Sequence, residues 1–196
     1  MTGEMEEISF IHLPSKLARI AERTAAIGFG MASEARTGAL LRTLAASKPG
    51  GRLLELGTGT GVATCWLLDG MKPDSHLISV DVDASVQGVA REALSDDPRL
   101  TLVTEDAIAF LGRQEPASFD LVFADALRGK YEGLDHALRV VKPGGFYIID
   151  DLLPQPNWPE GHAAKVPGLI VSLFGHPDFH ALSMAWASGI VVAVRV

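Results

Sequence analysis

Three glycines at alternate positions, Gly57, Gly59 and Gly61, follow a short apolar run, and Glu55 stands two residues before the first of them. Glycine lets a backbone turn sharply and approach a ligand without a side chain in the way. The dinucleotide fingerprint needs its third glycine three residues after the second, where this chain has Val62. A carboxylate at Glu55 would also repel a pyrophosphate, whereas it suits an ammonium or sulfonium group. The segment therefore favours S-adenosylmethionine over NAD.

Two further acidic residues follow apolar runs and could contact the nucleoside part of such a cofactor. Asp81, with Val82 after it, ends the second run, and a carboxylate there can accept hydrogen bonds from both ribose hydroxyls. Asp106 could accept the adenine amino group, or it could cap a helix that starts at Ala107. Either aspartate alone is weak evidence, and the preceding glycine segment is what gives both of them weight.

These residues need a framework that brings the ends of several strands together. Strand and helix patterns alternate, with continuous apolar strands predicted at Leu53–Leu56, Leu77–Val80, Leu100–Val103, Leu121–Ala124 and Phe146–Ile149. Continuous apolar strands are typical of a parallel sheet that is covered on both faces. Two helices should precede the sheet, one starting near Pro14 and one capped by Ser33. The runs Leu182–Trp186 and Ile190–Val194 predict a terminal hairpin with one antiparallel strand.

Composition excludes several classes of protein. The net charge is −7 and the 17 lysines and arginines are scattered, so nucleic acid is not an expected partner. No apolar run approaches the ~18 residues of a membrane span, and Met1–Phe10 is acidic without a signal-peptide core, so we expect a cytoplasmic protein. Cys65 is the only cysteine, which rules out an internal disulfide and predicts a core position.

The segment Leu152–Pro167 contains four prolines and is predicted to be a loop at the substrate mouth, beyond the carboxyl end of a central strand. Trp158 could form a wall for an aromatic substrate or anchor this loop to the core. His162 could act as a general base, although an ordinary solvated histidine is the simpler interpretation. Pro177 separates His176 from His180, so a three-histidine metal site is not expected.

From about Met31 to Val196 the chain resembles class I S-adenosylmethionine-dependent methyltransferases, in particular small bacterial O-methyltransferases related to the catechol and caffeoyl-coenzyme A enzymes. Leu54–Gly61, which includes Thr58, resembles their first motif, Leu77–Asp83 their ribose-binding strand, and Glu105–Ala107 their adenine motif. The resemblance implies an α/β, Rossmann-like sheet of seven strands in the order 3-2-1-4-5-7-6, with strand seven antiparallel and helices on both faces. The length of 196 residues predicts one domain over residues 1–196, with N-terminal helices in 1–47 and a cofactor-binding core in 52–196.

Two more segments match this family in part. Asp125–Tyr131 resembles its Asp-x-x-Lys-x-x-Tyr motif, and Ile148–Asp151 resembles its Asp-Asn pair. In the metal-dependent members the equivalents of Asp125, Asp150 and Asp151 hold Mg²⁺ or Ca²⁺, so the resemblance implies a metal-binding site here; Asp125 also lies near the methionine end of the cofactor in relatives.

Arg128 stands where the family has a catalytic lysine, and arginine effectively cannot act as a base. Arg128 could instead position an anionic substrate or a developing oxyanion. Lys130 is a substitute base in principle, but its place on a loop suggests that it points elsewhere. Asp151 replaces the usual asparagine and adds a negative charge, which favours a metal, unless Asp150 and Asp151 merely cap a turn and contact Arg128.

The first functional hypothesis is therefore a transferase that O-methylates a small hydroxylated molecule, aromatic molecules included, with help from a divalent metal. A metal-independent methyltransferase and a catalytically silent module that binds S-adenosylmethionine are alternatives, and an NAD-dependent dehydrogenase is a distant one. The amphipathic N-terminal helix would suit a homodimer interface, but the sequence leaves the oligomeric state open.

Overall fold

Seven strands form one sheet in the order β3-β2-β1-β4-β5-β7-β6. β1 to β5 run parallel, and β7 is antiparallel to both of its neighbours, β5 and β6. The structure, a computed structural model, describes residues 11–196, so the expectation for Met1–Phe10 lies outside the described residues. The predicted strand order and the antiparallel seventh strand are confirmed. The strands are β1 (Arg52–Leu56), β2 (His76–Asp81), β3 (Leu100–Thr104), β4 (Phe119–Ala124), β5 (Val141–Ile149), β6 (Phe179–Met184) and β7 (Ile190–Arg195).

Helices cover both faces of the sheet, as expected for strands that are apolar throughout. Side chains alternate between the faces, so Leu53 packs in one core cluster while Leu54 and Leu56 pack in the other. In the described part the helices are α1 (Leu17–Ala26), α2 (Ala35–Ala46), α3 (Val62–Gly70), α4 (Ala84–Leu94), α5 (Ala107–Gly112), α6 (Leu134–Arg139) and α7 (His162–Phe174). Helices α1 to α4 pack in the cluster that contains Leu53, and α5 to α7 pack in the cluster that contains Leu54.

The central strands β1, β4 and β5 end level with one another at the carboxyl edge of the sheet. Leu56 pairs with Ala124, and Ala124 pairs with Ile149. The residues that follow these strands therefore emerge side by side. From β1 the chain continues to β2 on one side of the sheet, while β4 pairs with β1 on the other side. The carboxyl ends of β1 and β4 therefore form the switch point of strand order, where α/β sheets bind ligands.

The prediction that Leu152–Pro167 is a loop is wrong from His162 onward, because α7 begins at that residue and contains Pro167. A proline inside a helix removes one backbone hydrogen bond and costs about 3 kcal/mol. The helix forms nevertheless because Val166, Leu169 and Leu173 are spaced to bury one face against the sheet. Tertiary burial outweighs the local signal of proline.

Two smaller expectations also differ from the structure. Ser33 does not cap the second helix, because the N-cap is Glu34, which makes no capping hydrogen bond with its side chain. The Ser33 hydroxyl instead donates a hydrogen bond to Asp125. The terminal hairpin begins earlier than predicted, at Phe179. The expected core position of Cys65 is confirmed, and burial raises the pKa of its thiol to about 11.

Within residues 11–196 we find no helix with the length and apolar composition needed to cross a membrane. A cytoplasmic location stays a prediction.

Tyr147 links the core to the segment after β4 and provides a test of the fold. Its side chain is fully buried, and its hydroxyl donates a hydrogen bond of 2.6 Å to the carbonyl of Gly129. Tyr147→Phe leaves that buried carbonyl without a donor, so we expect the free energy of unfolding in urea to fall by about 1–3 kcal/mol with an unchanged m value. An unchanged unfolding free energy would show that the bond is not needed to hold this segment.

Candidate functional site

A cavity of about 410 Å³ lies at the carboxyl edge of the sheet. Its floor is formed by the glycine segment and by the ends of β2 and β4, and its roof by residues around Phe29 and Trp158. Six of the predicted cofactor-binding residues line it, and the structure brings them together from three separate strand ends: Gly57, Thr58, Gly59, Asp81, Val82 and Asp125.

The glycine segment lies directly against the residue that follows β4. Gly57 has a φ of +101°, and a Cβ on it would stand 3.0 Å from the backbone carbonyl of Asp125. Only glycine fits this approach without strain. Asp81 fixes the other end of the segment, because one carboxylate oxygen accepts a bond of 2.7 Å from the Gly59 amide and the other accepts one from the Asp83 amide. The predicted ribose ligand therefore also shapes the loop.

Glu55 does not line the cavity, contrary to the reasoning that it faces a cationic ligand. It is completely buried below the glycine segment, where it accepts hydrogen bonds from the hydroxyls of Thr64 and Ser79. Ser79 in turn hydrogen-bonds Thr58. Burial raises the pKa of Glu55 to about 8, against the lowering effect of the two hydroxyl donors. Glu55 supports the loop from beneath, through Ser79 and Thr58.

Three other predicted cofactor residues also lie outside the cavity lining. Gly61 is the N-cap of α3 and has a left-handed conformation. A Cβ there would meet Ala90 at 2.7 Å, so this glycine allows close helix packing. Asp106 caps α5, accepting from the Ala109 amide, while its other oxygen pairs with Arg128. Ala107 is buried in the first turn of α5.

Arg128 does not line the cavity, although it was expected to position a substrate or a developing oxyanion there. Its guanidinium contacts Asp106 and lies 3.6 Å from a carboxylate oxygen of Glu132, and the side chain is half exposed. Neither Asp150 nor Asp151 contacts it. The structure therefore places Arg128 beside the adenine motif, where it joins the segment after β4 to the one after β3.

The three aspartates Asp125, Asp150 and Asp151 do converge, as the resemblance implied. One carboxylate oxygen of each lies within 4.8 Å of the others. Burial, reinforced by repulsion from Asp150, raises the pKa of Asp125 well above its usual range. Burial likewise raises the pKa of Asp150, although Lys130 opposes this shift. Such a cluster is costly without a cation or protons.

Lys130 is the site residue that the sequence interpretation misplaced. Its side chain is only 3% exposed, and its ammonium nitrogen lies 3.6 Å from Oδ1 of Asp150 and borders the cavity. Gly129 makes this orientation accessible, because its φ of +92° turns the chain between Arg128 and Lys130. A glycine directly before the lysine was the one signal in the sequence.

Asp151 adopts an uncommon backbone conformation, with a φ of +55°. Its amide N–H lies beyond the end of β5 and donates a hydrogen bond to the hydroxyl of Ser188. Aspartate and asparagine tolerate this left-handed region better than other side chains. The turn aims the Asp151 carboxylate back toward Asp125 and Asp150.

An aromatic group forms the wall opposite the glycine segment. His162 is buried, stacks on Trp158 with ring centroids 4.4 Å apart, and its Nε2 lies 3.0 Å from the Tyr131 hydroxyl. Burial raises the pKa of Tyr131 to about 12, so this hydroxyl stays protonated at neutral pH. The interpretation of His162 as an ordinary solvated histidine is therefore wrong. Asn157 completes the roof by donating a bond of 2.8 Å to the carbonyl of Gly30.

Comparison with known proteins assigns this arrangement to a family. A family model described as a methyltransferase domain matches residues 54–152. A protein of Mycobacteroides abscessus, provisionally assigned as an O-methyltransferase, is 30% identical over 191 residues, which are 91% of this chain and 87% of that one. The chain therefore belongs to the methyltransferases, and within them to the family of the S-adenosylmethionine-dependent O-methyltransferases.

A second relative and a solved structure agree with this assignment. A similarly assigned protein of Mycolicibacterium vanbaalenii is 36% identical over 138 residues, covering 68% of this chain but only 61% of that protein. The crystal structure of an O-methyltransferase from Streptomyces achromogenes, involved in tomaymycin synthesis and in complex with S-adenosylmethionine, has a TM-score of 0.80 at 23% identity. The superposition covers 95% of this chain and 92% of that one, so the fold is shared over nearly the whole length.

The buried Glu55 makes stability depend on pH in a defined direction. Its pKa is raised from 4.5 to about 8, so its contribution is complete below pH 4.5 and is lost as the pH rises through 8. We expect the unfolding free energy to fall between pH 5 and pH 8.5 by more in the wild type than in Glu55→Gln, by an amount on the order of 1–4 kcal/mol. Parallel urea titrations at both pH values measure this difference. Identical pH dependence in the two proteins would contradict a protonated Glu55.

Proposed function

We propose that this protein transfers the methyl group of S-adenosylmethionine to a hydroxyl oxygen of a small aromatic molecule. The observation that carries the proposal is the contact between Gly57 and Asp125, because it joins the cofactor loop and the acidic cluster in one cavity. A methyl donor and an acceptor held in that cavity would lie against each other. The fold shared with a protein that was crystallised with S-adenosylmethionine supports the same cofactor here.

On the cofactor side, we propose that Asp81 binds the ribose hydroxyls, since its carboxylate borders the cavity at the end of β2. Val82, exposed at this edge, would contact the adenine. Asp106 and Ala107 lie further along that side, and contact with the adenine amino group requires Asp106 to share its carboxylate with Arg128. Glu55 and Gly61 act on the cofactor through the shape of the loop.

On the acceptor side, we propose that Trp158 and Tyr131 border a flat ring and that the aspartates face its hydroxyl. The acceptor hydroxyl loses its proton to solvent water, and its oxygen attacks the methyl carbon. The carbon–sulfur bond breaks, so the sulfonium leaves as a neutral thioether. No covalent intermediate with the protein is needed. The rate enhancement then comes mainly from alignment of the oxygen with the methyl group and from electrostatic stabilisation.

The residues fit a divalent cation. Asp125, Asp150 and Asp151 offer three hard oxygen donors within 4.8 Å, and Oδ1 of the buried Asp150 accepts no hydrogen bond from any described residue. Mg²⁺ or Ca²⁺ held by these three carboxylates would supply Lewis acidity that lowers the pKa of an acceptor hydroxyl. The carboxylates themselves would orient the acceptor and balance the charge.

The ion pair between Lys130 and Asp150 favours a second candidate, methyl transfer without a metal. A buried ammonium beside the cluster already offsets part of its negative charge. In that case Lys130 would stabilise the oxyanion that develops as the acceptor loses its proton. The two candidates differ in their response to chelation.

Cofactor binding can be tested at Asp81. Asp81→Ala removes the proposed ribose acceptor and the partner of the Gly59 amide, so we expect the affinity for S-adenosylhomocysteine to fall at least about 100-fold by calorimetry. Asp83→Ala is the matched control, because Asp83 caps α4 at the same edge and its loss should affect stability more than affinity. Unchanged affinity in Asp81→Ala would contradict the proposed cofactor site.

The metal can be tested at Asp150. If a divalent cation assists the reaction, EDTA should abolish transfer of labelled methyl groups to catechol, and added Mg²⁺ should restore it. Asp150→Ala should remove this Mg²⁺ response and lower kcat at least about 100-fold. Activity that persists under both treatments would favour the metal-independent candidate. Binding of the cofactor with no transfer to any phenol would indicate the silent module instead.

A further inference from the structure

Gln87, on α4, is fully buried, and both ends of its side-chain amide are hydrogen-bonded. Its nitrogen Nε2 donates to the hydroxyl of Thr58, at 3.1 Å, and to the carbonyl of Val103, at 3.0 Å. Its oxygen Oε1 accepts from the Arg91 guanidinium, at 3.1 Å, and from the Thr104 hydroxyl, at 2.6 Å. These four bonds are all that a glutamine amide can make, so the side chain is held in one orientation.

The chemistry of the partners determines which end of the amide faces the cofactor loop. A backbone carbonyl can only accept a hydrogen bond, and a guanidinium can only donate one. The nitrogen must therefore face Val103, and the oxygen must face Arg91. The reversed amide would place two acceptors together at Val103 and two donors together at Arg91. Gln87 is thus a hydrogen-bond donor to Thr58.

Thr58 carries this contact into the cofactor loop. It is buried and belongs to the floor of the cavity. Its hydroxyl lies 2.6 Å from that of Ser79, and Ser79 gives its own hydrogen to the carboxyl group of Glu55. Thr58 therefore donates to Ser79 and accepts from Gln87. The orientation of the Thr58 side chain is fixed from two sides, by β2 and by α4.

Gln87 lies on the face of α4 that packs against the glycine segment. Ala90 and Leu94 share this face, and a Cβ on Gly61 would stand 2.7 Å from the first and 3.3 Å from the second. The helix approaches the loop this closely because position 61 is glycine. The same approach brings the Gln87 amide within hydrogen-bonding distance of Thr58.

A ligand in the cavity does not touch Gln87 directly. The preceding residue, Val86, lines the cavity, whereas Gln87 is fully buried behind Thr58. Packing does not require an amide at this position, because an apolar side chain of similar size in an apolar setting is close to neutral for stability. The effect of the amide on a ligand therefore passes through the Thr58 hydroxyl.

We propose that Gln87 is a positioning residue for the cofactor, which holds Thr58, and with it the turn from Gly57 to Gly59, in the conformation that binds S-adenosylmethionine. The proposal rests on the S-adenosylmethionine-dependent function above. A loop whose conformation is fixed before binding loses less conformational entropy when the ligand binds. Without the bond from Gln87 the Thr58 side chain can rotate, and only a fraction of the molecules has the binding conformation.

Gln87→Met keeps a side chain of similar size and removes the donor to Thr58. We expect the Kd for S-adenosylhomocysteine to rise about five- to thirtyfold by calorimetry, the equivalent of one buried hydrogen bond. In transfer of methyl groups to catechol, the KM for S-adenosylmethionine should rise with it. The value of kcat at saturating cofactor should change less than about twofold, because Gln87 is remote from the reacting atoms. Gln87→Leu is the second variant if the methionine variant does not fold.

Gln114→Met is the matched control. The Gln114 amide also donates to a carbonyl, that of Phe110 in α5, and Gln114 does not line the cavity. This variant loses a glutamine hydrogen bond away from the cofactor loop. It should leave both the Kd and the KM unchanged.

Two variants of Thr58 test whether the effect passes through its hydroxyl. Thr58→Val should weaken binding of S-adenosylhomocysteine at least as much as Gln87→Met does. The double variant should bind no more weakly than Thr58→Val alone, since both substitutions remove the same bond. Thr58→Ser keeps the hydroxyl and should bind within about twofold of the wild type.

The outcomes separate this inference from the function beneath it. A wild-type protein that does not bind S-adenosylhomocysteine contradicts the proposed function, and the inference with it. Equal affinity in the wild type and in Gln87→Met contradicts the inference alone. Losses that multiply in the double variant contradict action through Thr58, and an equal loss in Gln114→Met would show a general effect of removing a buried amide.

Discussion

The close approach of Gly57 to Asp125 is the constraint on which the rest of the site depends. It exists because β1 and β4 are parallel neighbours that end at the same level, so the glycine loop and the first aspartate leave the sheet together. β5 ends beside β4 and adds Asp150 and Asp151 to the same edge. A framework of buried apolar strands thus brings a cofactor loop and three carboxylates together, although these residues are almost a hundred positions apart in the chain.

The sequence predicted most of the framework because its signals were local and agreed with one another. Apolar strands, glycine turns and capping aspartates recur in a regular order and predicted a parallel sheet with a terminal hairpin, while the order of the seven strands and the acidic cluster were implied by the resemblance to the O-methyltransferases. Asp125 and Asp150 directly follow β4 and β5, so the implied strand order is enough to bring these two together, whereas Asp151 comes one residue later and reaches them through its left-handed backbone. Asp83 and Asp106 cap their helices for the same local reason.

Side-chain direction was harder to predict wherever it depends on tertiary packing. Lys130 faces Asp150 because Gly129 turns the chain, and a glycine in the sequence permits such a turn without specifying its direction. His162 is buried against Trp158 because α7 forms in spite of Pro167, which is a consequence of burying Leu169 and Leu173. Glu55 was correctly placed next to the cofactor loop, but the reason given, a charged contact with the ligand, was wrong. The alternation of side chains along β1 directs Glu55 away from the cavity, and it supports the loop from below.

The left-handed backbone at Asp151 restricts how this site can change over evolutionary time. At a φ of +55° a β-branched or bulky side chain would be strained, so aspartate, asparagine and glycine are the residues the backbone readily accepts. Exchange between aspartate and asparagine alters the charge beside Asp125 and Asp150 by one unit while preserving the turn. Position 151 is thereby a place where a lineage can adjust the electrostatics of the acceptor site through a single codon, without rebuilding the scaffold around it.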